Sequence, residues 1–160
     1  RGLRRLSMKL TEEKLKQMIR ESMGQTQNYN KLIALMDTEE GFNQAQSLFE
    51  MIEGTLGSKE RTYLRSYFDV IDLAKEVRSL MLERDVAQEK YNKIEAELLQ
   101  GAPIDAEADR IHLELIQAYE AHYKAKKKFN TKMSIMFKRG DRSIFHVVKS
   151  ITGKILKGEI

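Results

Sequence analysis

Between Lys59 and Gln100, mostly apolar residues recur at alternating steps of three and four and form what we call a seam. No glycine or proline interrupts this stretch. This spacing keeps the side chains on one helical face with the 3.5-residue period of a coiled coil. Ser58 is placed to cap the N-terminus of the predicted helix. The seam consists of Tyr63, Ser66, Val70, Leu73, Val77, Leu80, Arg84, Ala87, Tyr91, Ile94 and Leu98.

A second seam follows the Gly101-Ala102-Pro103 stop and continues to Met136. Asp105 is the predicted N-cap of this helix. Because the connection is short, the two helices must lie side by side and antiparallel, each on the order of 50–60 Å long at 1.5 Å per residue. The seam consists of Ile104, Ala108, Ile111, Leu115, Ala118, His122, Ala125, Phe129, Lys132 and Met136.

Shorter amphipathic segments flank the predicted hairpin. Thr11 is placed to cap a first helix, and a Gln/Asn-rich link separates it from a segment running from Tyr29 to Met36. Asp37–Glu40 then supplies an N-cap and first-turn acids for a helix that reaches Ile52. Each of these helices is too short to be stable alone in water, so they must pack on each other or on the later helices of the chain.

The C-terminal segment from about Ser143 has isoleucine and valine on one face and lysine on the other. With one proline, no cysteine and no tryptophan, the chain has the composition of solvated helices. We therefore predict an all-α helical bundle built on a long antiparallel, coiled-coil-like hairpin. Its parts are a basic tail (1–9), short amphipathic helices (10–57), the hairpin (58–139) and a basic amphipathic C-terminal helix (140–160). If Met8 is the natural start, residues 1–7 are an added remnant; otherwise they are native tail.

Charge is distributed unevenly along the chain. Residues 1–20 carry a net +5, residues 21–121 a net −10 and residues 122–160 a net +9. An anionic partner is therefore expected at the ends, where a sequence-nonspecific contact with nucleic acid is one candidate function. The candidate residues are Lys124, Lys126, Lys127, Lys128, Lys132, Lys138, Arg139 and Arg142. The alternative is that they form a solvated helix face.

Arg84 and His122 are two of the polar residues at seam positions where the pattern predicts apolar ones. Arg84 lies on the first helix, and antiparallel pairing places it near Tyr119 and Glu120, so we expect a charged or cation–π contact that fixes the register. It could instead mark where another subunit docks. His122, on the second helix, is either a pH-sensitive interface residue or a histidine with one nitrogen satisfied and one hydrated.

The sequence contains no phosphate-binding glycine loop, zinc-protease motif, nucleophile elbow or dinucleotide fingerprint. Asp109 and His112 have an i, i+3 spacing found in di-iron bundles, but such sites need a second copy of the motif, which is lacking. Arg139-Gly140-Asp141 is interpreted as a helix stop followed by an N-cap. The sequence therefore predicts no enzyme, no cofactor and no metal site. The C-terminal helix could lie on a membrane surface, but packing on its own bundle is favoured.

Apolar residues outside the seams predict a further contact. Those on the first helix are Leu64, Phe68, Ile71, Met81 and Leu82, and those on the second are Leu113, Ile116, Tyr119 and Tyr123. Since two helices leave this surface uncovered, we expect it to pack against the short N-terminal helices or against another subunit. The predicted function is a non-catalytic protein–protein assembly module, with nucleic-acid binding as the alternative.

The segment from Met8 to Glu21 begins with Met-Lys-Leu-Thr and continues as a basic amphipathic helix. It resembles the N-terminal segments of many small proteins of large tailed bacteriophages, over 14 of the 160 residues. The resemblance implies a phage structural or assembly protein and carries over no functional residue. No run of signal-peptide or transmembrane length is present, so we expect a cytoplasmic or virion-associated protein.

Overall fold

The computed structural model describes residue 24 and residues 26–139 and 141–160. Within these ranges the regular secondary structure is helical throughout. The predicted basic tail (1–9) and the predicted Thr11-capped helix lie outside the described residues. The helices are α1 (residues 24 and 26–35), α2 (Glu39–Ile52), α3 (Ser58–Leu99), α4 (Ala106–Lys138) and α5 (Arg142–Lys157), with a 3-10 turn at Glu53–Thr55.

The chain divides into two compact units, Arg1–Ser66 and Tyr67–Ile160. The boundary falls inside α3, whereas the sequence pattern suggested one at residue 58. In the first unit, the predicted N-cap within Asp37–Glu40 is Thr38, whose hydroxyl accepts a hydrogen bond from the Gly41 amide at 3.0 Å. The fully or nearly fully buried side chains of this unit are Leu32, Met36, Phe42, Ala45, Phe49, Leu56 and Leu64.

The predicted Gln/Asn-rich link is wrong at its C-terminal end. Residues 26–28 belong to α1, although threonine and asparagine have low helix propensity. Tyr29 is half-buried, and its ring packs on that of Tyr63 with 6.4 Å between centroids. Tertiary packing of this kind outweighs weak local preference, and the helix starts earlier than the pattern predicted.

In the second unit α3 and α4 pack against each other, and the predicted antiparallel hairpin in an all-α fold is confirmed. Facing residues run in opposite directions along the two helices: Arg84 meets His122, Gln88 meets Tyr119, and Tyr91 stacks on His112. At the tip, Gly101 has a φ of +95° and its amide bonds the Leu98 carbonyl, an arrangement that favours glycine after a helix.

Two details of the predicted helix starts differ. Ser58 is already helical, and the Arg61 amide bonds the carbonyl of Gly57, so the cap position lies one residue earlier than predicted. Ile104 was assigned to the second seam but lies before α4 and is 76% exposed. Asp105 is in extended conformation and caps α4 by accepting from the Ala108 amide at 2.9 Å, so the helical spacing cannot extend back to Ile104.

Helix α5 folds back on the second unit through its apolar face. Ile144, Val148, Ile151 and Ile155 are each at most 4% exposed. The ring of Phe145 meets Phe137 of α4 edge-on, and the Arg78 guanidinium of α3 donates to the Leu156 carbonyl. The apolar face of α5 is therefore already covered within the chain.

Candidate functional site

A stripe of partly exposed apolar side chains runs along the middle of α4, and we call it the α4 stripe. Its members are Leu113 (55% exposed), Ile116 (44%), Tyr119 (45%) and Tyr123 (66%). Steps of three, three and four residues keep them on one side of the helix, since residues three and four apart are neighbours on its surface. All four were predicted as interface residues from the sequence. A contiguous apolar surface of this kind is a candidate for contact with another protein.

The corresponding prediction for α3 has a different outcome along the helix. Leu64, Phe68 and Ile71 are at most 4% exposed, so the chain itself already buries them. Met81 is half-buried and Leu82 is about half exposed. The open apolar surface is therefore concentrated on α4 and on the part of α3 beyond residue 80.

The seam residues Arg84 and His122 lie in contact across the hairpin. The Nη1 atom of Arg84 lies 3.5 Å from Nδ1 of His122, and the guanidinium carbon lies 5.4 Å from the ring centroid of Tyr119. The acid paired with Arg84 is Asp85 on the same helix, at 3.3 Å, and not Glu120 as the sequence suggested. Glu120 is exposed, one position beyond Tyr119, where it lies on the outer side of α4.

This arrangement favours neutral His122. Burial lowers the pKa of His122 below its ordinary value of 6.5, and the positive charges of Arg84 and Lys126 lower it further, against a smaller opposing effect of Asp85. Because a guanidinium can only donate, its contact with Nδ1 requires that nitrogen to be unprotonated. The cluster joins α3 to α4 at one point along the hairpin.

A basic surface occupies the C-terminal half of α4. From residue 121 to residue 138 the helix carries six lysines and no acid. Five of these lysines are exposed, while Lys132 is half-buried at its seam position; Arg139 and Arg142 are also exposed. A shallow groove of about 590 Å³ follows the outer side of the helix, lined by Tyr123, Lys126, Lys127, Asn130, Thr131, Ser134, Ile135 and Lys138.

A groove between α4 and α5 was not predicted from the sequence. It has a volume of about 440 Å³ and is lined mainly by Phe129, Met133, Phe137, Phe145 and Leu156. The wall on α5 includes Gly153, where an added methyl group would meet no atom within 4 Å. The periodicity of each helix gives its apolar face but not the angle at which two such faces meet. The sequence signal for the groove is therefore limited to Phe137, an aromatic residue outside the seam.

Asp109 and His112, which were weighed as a metal pair, are both exposed, and the imidazole of His112 stacks on Tyr91 at 5.3 Å. Within the described residues no three His, Cys, Asp or Glu side chains are grouped to hold a metal ion. None of the helices in that part of the chain combines the length and apolarity needed to cross a membrane.

Protein-family models, curated proteins and solved structures give no match to the sequence or fold.

Proposed function

We propose that this protein is a non-catalytic assembly module that presents a rigid helical hairpin for protein–protein contact. The observation that carries the proposal is the α4 stripe, four apolar side chains left 44–66% exposed along the middle of α4. Exposed apolar surface in a contiguous patch is removed from water when a partner binds, which favours association. The Arg84–His122 contact supports the rigidity of the hairpin.

The resemblance of residues 8–21 to small proteins of tailed bacteriophages extends this proposal to a structural or assembly role in a phage particle. A cytoplasmic or virion-associated location belongs to the same proposal. Neither depends on the α4 stripe.

The test is the mass of the protein in solution, measured by light scattering at about 50 mM and about 500 mM salt, with and without mixed-sequence DNA. We expect an oligomer whose mass is the same at both salt concentrations and is unchanged by DNA, because salt does not screen apolar contacts. The Ile116→Asp variant should become monomeric because it places a charge within the stripe. A wild-type monomer that associates only with DNA, and only at low salt, would contradict the assembly proposal.

A second candidate function is sequence-nonspecific binding of nucleic acid by the basic half of α4. The observation that favours it is the surface groove lined by Lys126, Lys127 and Lys138 on a stretch of helix without acids. Lysine ammonium groups neutralise phosphates and release counterions, which gives affinity without sequence preference.

This second function is tested by the salt dependence of DNA affinity in wild type and in a Lys126→Gln/Lys138→Gln variant. Removing one phosphate contact should reduce the slope of log affinity against log salt by about 0.9, so the double variant should show a slope smaller by up to roughly two units. Arg110→Gln on the acidic half of α4 is the control for a change of charge alone. The absence of any binding at about 50 mM salt would exclude this function.

A further inference from the structure

Leu113, Ile116 and Tyr123 of the α4 stripe belong to a longer outward-facing seam. Tyr119 does not, because it contacts Arg84 and Gln88 of α3. Six residues follow one another at steps of four, three, four, three and four, which is the spacing of a coiled-coil contact: Asp109, Leu113, Ile116, Glu120, Tyr123 and Lys127. All six are exposed. They lie on the side of α4 away from its buried seam at Ile111, Leu115, Ala125 and Phe129. We call these six residues the outer seam.

The outer seam is symmetric about residue 118. Residues at equal distance from that point complement each other: acidic Asp109 corresponds to basic Lys127, and apolar Leu113 corresponds to apolar Tyr123. Ile116 corresponds to Glu120, whose aliphatic stem can cover an isoleucine. A two-fold axis at residue 118 would therefore bring four of the six outer-seam residues opposite a residue of opposite charge or of like apolarity on an identical helix.

The charge of the whole helix favours the same arrangement. From residue 106 to residue 120, α4 carries four acids and one arginine, whereas residues 121–138 carry six lysines and no acid. Two copies paired antiparallel place the acidic half of each against the basic half of the other. A parallel pair would bring like charges together along its whole length, and like charges across an interface oppose binding.

We propose that the partner of the α4 stripe is a second copy of this chain, bound antiparallel through the outer seam with the two-fold axis beside residue 118. Asp109 of each copy then pairs with Lys127 of the other. Such an isologous contact closes at two chains and does not form fibres. The inference rests on the proposed assembly function and adds the partner, its direction and its register.

Charge reversal tests the arrangement through sedimentation equilibrium from about 1 to about 300 µM protein. Asp109→Lys and Lys127→Asp should each weaken the wild-type dimer by about tenfold, because each replaces two attractive contacts with two repulsive ones. The Asp109→Lys/Lys127→Asp double variant should return to within about threefold of the wild-type constant, since the pairs are restored in reverse. The matched control is Lys128→Asp, the same change one residue along and off the outer seam, which should have little effect.

A second variant acts at the axis itself. Glu120→Leu replaces an acid near its own symmetry mate and opposite Ile116, so the dimer should become tighter by about tenfold or more. A dimer that Ile116→Asp dissociates but that the double variant does not restore would overturn this arrangement and leave the assembly function standing. A wild-type monomer throughout the concentration range would overturn the self-association and indicate that any partner of the α4 stripe is a different protein.

Discussion

At the residue scale, the contact between Arg84 and His122 predicts a measurable titration. The pKa of His122 should lie below the ordinary histidine value of 6.5, because the ring is partly removed from water and faces the charges of Arg84 and Lys126. NMR chemical shifts of the imidazole, followed against pH, give this pKa directly. Arg84→Met keeps the aliphatic stem but removes the charge, so the pKa should rise towards its ordinary value. If the pKa of His122 is the same in wild type and Arg84→Met, the charge of the guanidinium does not lower it.

The same titration affects stability. A histidine whose pKa is lowered by folding takes up its proton first in the unfolded chain, so the free energy of unfolding falls as the pH drops below about 6.5 and levels off below the folded pKa. Denaturant unfolding of wild type and His122→Asn at pH 7, 6 and 5 measures the difference. Because His112 and His146 are present in both proteins, their contributions to the pH dependence of the free energy of unfolding cancel in the difference. We expect wild type to become less stable relative to the variant on acidification, and parallel curves would contradict this linkage.

At the element scale, two helical glycines should respond oppositely to alanine. Gly41 is buried in the first turn of α2, where an added methyl group would overlap the carbonyl oxygen of Leu35 and approach the Thr38 hydroxyl to 2.9 Å. We expect Gly41→Ala to destabilise the protein by about 1–3 kcal/mol. Gly153 lies inside α5 with open space beside it, so Gly153→Ala should stabilise by about 0.5–1 kcal/mol through helix propensity alone.

Each glycine variant is the control for the other, because both make the same substitution within a helix. Urea unfolding of the two variants and wild type gives the free energies. If Gly153→Ala destabilises the protein, the added methyl group is not accommodated in the groove beside α5. If Gly41→Ala stabilises it, the backbone between α1 and α2 can move away from the added methyl group at no cost in free energy.

The elements differ in how far the sequence predicts them. Helices α3 and α4 and their antiparallel pairing were predictable because a 3.5-residue period over many turns leaves few alternatives, and a short turn fixes direction. That register correctly placed Arg84 near Tyr119, but the contact of Arg84 with His122 was not predicted. The helical start of α1 was not predictable, because the packing of Tyr29 on Tyr63 outweighs the weak helix propensity of residues 26–28. Ile104 was wrongly assigned to the second seam, because it lies four residues before Ala108 and so fits the seam spacing, although it directly follows Pro103.

At the scale of the whole molecule, burial along the hairpin is graded. Seam residues Val70, Leu73 and Val77 are at most 7% exposed, while Leu80 and the seam positions after it on α3 are half-buried. A hairpin of two helices cannot enclose its own seam on every side, and α5 packs near Arg78, in the well-buried part. The outer seam lies along α4 between the hairpin tip and the basic end, on a face that is exposed at all six positions. This distribution could not be predicted from periodicity, which describes each helix separately.

If the hairpin dimerises, the stability of the whole molecule must depend on its concentration. A partner that binds only the folded chain stabilises it by mass action, so the melting temperature of wild type should rise by a few degrees between about 5 and about 500 µM. Ile116→Asp removes the association without touching the buried seam, and its melting temperature should be independent of concentration. Scanning calorimetry or circular dichroism on matched samples makes the comparison. A concentration-independent wild type would mean that the α4 stripe stays uncovered in the pure protein, whereas equal shifts in both proteins would place the association on another surface.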